Sequence, residues 1–381
     1  MRGKLKELAV LFLKLGSIAF GGPAAHIAMM EDEVVKRRGW LTHEHFLDLL
    51  GTTNLIPGPN STEMAIHIGY VRCGWKGVAV AGVCFILPAV AITLLLAHLY
   101  VVFGTVPQAS GFIWGIRAAV IAVILAAVFR LSKTIVRNWF KIIAFLIVAL
   151  LSLLHVDEIA LLLGAGLVGL AWQNRHRLRG TTGSVLSFAL LPALAFVPIS
   201  GAVGDHPVTL SGLGLFFLKI GSILYGSGYV LVAFLQGGLV DAQRWLSQTQ
   251  LLDAIAIGQL TPGPVLSTAT FIGYLILGLP GALVSTAGIF LPSFIFVGII
   301  GPFVPKLRKS QHAVGFLDGV TSASLGLMMA VCVTLGMTTL TNVSSWIIFG
   351  IAAIILFRWN PNPAWIVVGS AVIGWLLSSL V

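Results

Sequence analysis

Two short stretches of this chain combine residues that break a helix with residues that start one. Pro57-Gly58-Pro59 is followed by Asn60, Ser61 and Thr62, and Thr261-Pro262-Gly263-Pro264 is followed by Ser267 and Thr268. Two prolines around a glycine cannot continue a helix, because each proline lacks an amide donor and clashes with the preceding turn. Asn, Ser and Thr side chains cap helix N-termini, so a new half-helix is expected to begin at each break. Its unpaired N–H groups and positive dipole end form an anion site. Asn54 and Gln259 stand just before the two breaks as amide donors. A packing kink is the alternative for one such break. Two matched breaks favour a binding site.

Other residues along the chain could also carry chemistry. Gly21-Gly22-Pro23 and Gly226-Ser227-Gly228 are flexible steps in a preceding apolar segment, read either as unwound backbone or as close helix contact. Lys14 and Lys219 are cations within apolar segments and stand either to balance an anion or to snorkel to the interface. Glu63 and His67 lie four apart on one face of the half-helix after the first break. They form either a proton-coupling pair or a plain buried pair. His43, Glu44 and His45 match no zinc spacing. Cys73, Cys84 and Cys332 show no paired spacing, and neither metal nor cofactor is expected.

The elements that must position these residues are membrane helices. Of 381 residues, 57% are hydrophobic and 9% charged, far below the roughly one quarter charged in soluble domains. Apolar stretches of about 20 residues recur throughout, enough for about thirteen transmembrane helices. Segments 8–29, 47–70, 210–234 and 251–276 each read as one crossing. The net charge of +10 suggests no nucleic-acid partner, because no soluble domain carries a basic patch. Most Lys and Arg fall on one side if the N-terminus is cytoplasmic, as the positive-inside rule requires, with Arg244 among them. Lys36, Arg37 and Arg38 then fall on the wrong side.

The chain also repeats itself. Phe12 to Ile18 resembles Phe217 to Ile223 at an offset of 205, and Trp40, Asp48 and Pro57-Gly58-Pro59 recur as Trp245, Asp253 and Pro262-Gly263-Pro264. At an offset of 204, Ile68-Gly69-Tyr70 recurs as Ile272-Gly273-Tyr274, and Leu87-Pro88 as Leu291-Pro292. Seven spans precede the second copy, and an odd number inverts it. The expected fold is therefore all-α integral membrane, with two inverted-topology repeats whose helices are broken at Pro-Gly-Pro. The units are residues 1–172 and 210–381, with a linker and an extra span over 173–209.

Phe20-Gly-Gly-Pro23, the run to Arg38-Gly-Trp40, Asn54-Leu-Ile-Pro-Gly-Pro59 and Gln259-Leu-Thr-Pro-Gly-Pro264 resemble the chromate ion transporter family in its long, two-domain form. The resemblance implies an inner-membrane protein that extrudes chromate, driven by the proton motive force, and confers chromate resistance. Relatives that handle sulfate are the nearest alternative. A lipid-phosphate enzyme is a more distant one, because its polar residues would gather at an interface and not at midplane. The lipid bilayer is the expected surrounding, and a homodimer is compatible with the sequence.

Overall fold

A computed structural model describes residues 2–53, 55–103, 107–133, 135, 138–173, 208–225, 228–300 and 311–378. Asn54, Gly226, Ser227 and nearly all of the linker with its expected extra span lie outside the described residues. The described residues are helical and fall into two units with equivalent elements. Four helical stretches are long and apolar enough to cross a membrane: Asn60–Phe103, Gly111–Ser132, Val265–Ile299 and Val314–Thr339.

Helix α1 (Arg2–Ile18) ends where Gly21 and Gly22 adopt φ of 106° and 81°, conformations open to glycine and costly for other residues. Pro23 then opens α2 (Pro23–Glu31), which continues as a π-helical stretch, Asp32–Arg37. The chain turns back at the glycines. His26 Nε2 lies 3.0 Å from the Ala19 carbonyl, and Lys14 Nζ meets Glu33 Oε1 at 2.8 Å, so α2 returns alongside α1.

A second hairpin follows. Helix α3 (His43–Thr53) leads into Pro57-Gly58-Pro59, and α4 (Asn60–Phe103) starts where the capping residues indicate. Its first arm, 60–72, ends with Arg72 paired to Glu7 at 3.2 Å and lying 4.5 Å over the Trp40 ring. The arm has thus come back to the face where α1 began. A turn at Cys73 and Gly74 (φ 60°) folds the long second arm, 75–103, against the first. The backbones of Gly69 and Gly77 touch there, which a side chain on either would prevent.

Segments 8–29 and 47–70 are therefore hairpins that enter and leave by one face, not single crossings. Hydropathy counts apolar residues and cannot distinguish one crossing from two short arms of the same total length. The correction removes the anomaly in loop charge. Lys36, Arg37 and Arg38 sit beside Trp40, with Arg38 5.2 Å over its ring, on the same face as Arg2, Lys4, Lys6 and Arg72.

The second unit is built the same way, from α8 (Leu210–Ile223), a turn at Gly228–Val230, α9 (Leu231–Leu235) and a π-helical stretch, Gln236–Ala242. Helices α10 (Gln248–Leu260) and α11 (Thr268–Ile300) follow, with the fold-back turn at Leu277 and Gly278 (φ 64°). Segments 210–234 and 251–276 are again hairpins, with Trp245 packed against Gly212 and Phe216 in the first half of α8.

The long arms of α4 and α11 run antiparallel. Trp75 lies on Gly298 at one end, and His98 Nδ1 lies 3.0 Å from the Tyr274 hydroxyl at the other. The hairpin bases of the two units therefore lie on opposite faces. Arg244 belongs with Trp245 to the second face, not to the basic one. Helices α5 (Pro107–Ser132), α6 (Trp139–Leu153) and α7 (Glu158–Gln173) pack against α12 (Gln311–Thr339), α13 (Val343–Trp359) and α14 (Pro363–Ser378). Gly111 and Gly115 meet Ser370 and Gly374, while Ala165 and Gly169 meet Gly315 and Gly319. Small residues at these crossings bring backbones together, as membrane packing requires where water expulsion gives no drive.

Candidate functional site at the paired breaks

Each Pro-Gly-Pro loop reaches into the other unit. The Gly58 N–H donates to the Leu224 carbonyl at 2.6 Å, and the Gly263 N–H donates to the Ala19 carbonyl at 2.8 Å. Donors and acceptors are both related by the sequence offset of 205. The contact is isologous: what one unit gives, it also receives. These two amides hold the units together and are not open to an anion. At the first break the Thr62 and Glu63 N–H groups turn back to the Pro59 carbonyl at 2.8 and 3.0 Å, and at the second Ser267 donates to Pro264 at 3.0 Å.

What remains open is polar side chains. Thr62 Oγ1, both Glu63 oxygens, His67 Nε2, Ser267 Oγ, Gln259 Nε2 and Ser293 Oγ are buried and have no hydrogen-bond partner among the described residues. Leaving a buried polar atom unpaired costs about 1–3 kcal/mol, more for a carboxylate, so such a concentration indicates a place where something else binds. Glu63 is fully buried, and its carboxyl and the Ser293 hydroxyl both press on Gly58, whose φ is 145°.

The second break is drier. Gly263 faces Ala89 Cβ and the Gly16 carbonyl, where Gly58 faces Ser293 and Glu63. Ala89 is the equivalent of Ser293, and Thr268, which replaces Glu63, satisfies its hydroxyl on the Val265 carbonyl at 2.8 Å. Thr261 is likewise satisfied by the Ile257 carbonyl at 2.8 Å, and the Gln259 carbonyl oxygen accepts from Tyr229 at 3.4 Å. A cavity of about 290 Å³ between α4 and α11 is lined by apolar atoms and offers an oxyanion nothing.

The remaining sequence candidates are placed as follows. Lys14 is half-exposed and paired with Glu33, which also receives Arg37 and Arg38 at 3.4 and 3.2 Å. Lys219 is exposed on α8. Gly21, Gly22 and Pro23 form the first hairpin turn, with Gly22 facing the Tyr229 hydroxyl. Ser61 is buried at the start of α4, beside Asn60. Ser293 was missed from sequence. Its signal was a hydroxyl directly after the matched Leu291-Pro292, where the first unit has alanine.

The described helices, most of them apolar, and the two interlocked units with a buried polar centre define a multi-pass membrane transport protein. The family profile described as chromate transporter matches residues 6–170 and again 211–375, and the chain belongs to that family. It is 34% identical over 377 residues to a chromate transport protein of Cupriavidus metallidurans, covering 97% of this chain and 92% of that one. A probable chromate transport protein of Synechococcus elongatus is 32% identical over 96% of this chain and 94% of its own length. A chromate transport protein of Pseudomonas aeruginosa is 31% identical over 97% and 92%. No solved structure matches the chain.

Proposed function

We propose that this chain is a secondary active transporter that exports chromate across a bacterial-type inner membrane and so confers chromate resistance. The observation that carries the reading is the set of buried, unpartnered polar atoms at the two breaks, with the Glu63 carboxyl and the Ser293 hydroxyl against Gly58, where the two units exchange backbone hydrogen bonds. Thr62, Ser293 and Ser61 offer hydroxyl donors to a tetrahedral oxyanion, next to the N-terminus of α4. The units, 1–172 and 210–381, act as inverted repeats around this site, joined by 173–209. Collection of Lys and Arg on the face of Arg2 supports a cytoplasmic N-terminus.

Glu63 and His67 carry the coupling proton. A dianion and a carboxylate cannot share one buried pocket without strong repulsion, so Glu63 carries a proton whenever the anion is bound. A dianion leaving a cell that is 100 mV negative inside gains about 4.6 kcal/mol from the potential alone, and about half of that if one proton accompanies it. Export is thus favoured by the electrical part of the proton motive force. Lys14, Arg37 and Arg38, clustered on Glu33 beside the basic face, raise the local anion concentration at the cytoplasmic mouth.

The test is uptake into everted vesicles of chromate and, separately, sulfate, with and without an imposed potential and pH gradient. Chromate uptake that follows the potential is the expected result. Transport of sulfate with no chromate flux would move the substrate assignment, and no flux of either anion would refute the reading.

A further inference from the structure

Equivalent parts of the two units stand in unequal surroundings, and the inequality has one direction. Helix α3 packs chiefly on α4 and is largely exposed, whereas its equivalent α10 is enclosed between α5, α11 and α14. Leu47 is 47% exposed and its equivalent Leu252 only 2%. Asp48 is exposed and its equivalent Asp253 is 3% exposed.

The register between hairpins and surrounding helices is unequal too. Asn362, at the start of α14, faces Gly21 in the first hairpin turn. Glu158, its equivalent at the start of α7, presses on Gly237. Gly237 corresponds to Asp32, eleven positions further along the hairpin than Gly21. The block formed by α1–α4 and α8–α11 is therefore displaced toward the basic face relative to the frame of α5–α7 and α12–α14.

Among the described residues, one ion pair fastens block to frame in this position. Arg117 of α5 grips Asp253 of α10 through two hydrogen bonds, Nε to Oδ1 at 2.7 Å and an Nη to Oδ2 at 2.8 Å, and the Tyr100 hydroxyl adds a third at 2.6 Å. Bidentate pairs of this kind are strong and geometrically specific. Nothing equivalent can form in the opposite position, because Thr321 replaces Arg117.

We propose that the structure is the end state open to the basic face, that the block slides past the frame during transport, and that Arg117, Asp253 and Tyr100 form the latch that seals the opposite face. Exchanging the two registers moves the block by eleven helical residues, roughly 16 Å. The first hairpins would then be enclosed and the second released. The latch biases the resting protein toward the state seen, so the binding site waits for anion on the basic side. This inference rests on the transport reading above, but its test reads shape and needs no substrate.

The experiment places single cysteines, Leu47→Cys or Leu252→Cys, in full-length chain whose three native cysteines are replaced. Labelling with a membrane-impermeant maleimide is followed in right-side-out and everted vesicles. Leu47→Cys is expected to label only from the basic face and Leu252→Cys from neither. With Arg117→Gln or Asp253→Asn added, Leu252→Cys should label from the opposite face at least about tenfold faster, with Arg117→Lys intermediate. A paired Asp32→Cys and Asn362→Cys should then cross-link, which rotation without sliding would not allow. Continued protection of Leu252→Cys in both latch variants, or a Leu47→Cys unlabelled from either face, overturns the proposal. Absence of chromate flux in unmodified chain with the expected labelling would instead count against the substrate reading alone.

Discussion

Replacing Gly58 with alanine tests the paired-break site most directly, because the cost can be worked from two separable contributions. The residue has φ of 145°, and an L side chain in that region costs about 1–3 kcal/mol. The added Cβ would also fall 2.6 Å from Ser293 Oγ and against the Glu63 carboxyl, an overpacking worth about 1–3 kcal/mol in a tight core. Gly74 supplies the control: its φ is 60°, and a Cβ there meets nothing within 4 Å. With ψ at −147°, Gly74→Ala should therefore carry only a backbone cost, about 1–3 kcal/mol, and no overpacking. Both variants would be followed by thermal unfolding in detergent and by chromate uptake into everted vesicles. Gly58→Ala should unfold several degrees below Gly74→Ala and lose at least about 90% of uptake, while Gly74→Ala keeps most of it. Gly58→Ala with Ser293→Ala should recover part of the stability, since the clash is shared between the two positions. Equal behaviour of the two glycine variants, or no recovery in the double variant, would refute the account of the site.

Three further outcomes follow from the same structure. Ser293→Ala should weaken chromate binding about tenfold, the loss of one hydrogen bond to a charged ligand, whereas Ala89→Thr at the drier break should change it less; competition binding in detergent measures both. Glu63→Gln should keep binding chromate while its uptake stops responding to an imposed pH gradient, and an unchanged response would remove Glu63 from the coupling. Lys36→Cys should label from the same face as Gly3→Cys, and Gln243→Cys from the other; labelling of Lys36→Cys from the opposite face would undo the hairpin topology.

Much of the centre was legible in the residues. The repeat offset of 205 foretold which glycine and which carbonyl would be equivalent, and the Asn-Ser-Thr run marked where α4 begins. The reversal at each break was not legible, because two re-entrant arms and one crossing have the same apolar length. The misplaced Lys36-Arg37-Arg38 run was the one trace of it. The latch was beyond reach for a different reason: Arg117 and Asp253 are 136 residues apart, and only the replacement of Arg117 by Thr321 in the second copy distinguished that position. The fate of the Gly58 and Gly263 amides also depended on contacts between units, which local sequence does not encode.

The reciprocal amide bonds at the tips have a consequence for how the chain is made. Gly58 finds its acceptor at Leu224, and synthesis at about 5–20 residues per second separates the two by roughly 10–30 s. Through that interval the first half sits in the bilayer with a tip amide, a buried acid and several hydroxyls awaiting their surroundings. Folding of the first half is therefore completed by the second, and truncation between the units should leave a species prone to degradation and not a half-active protein.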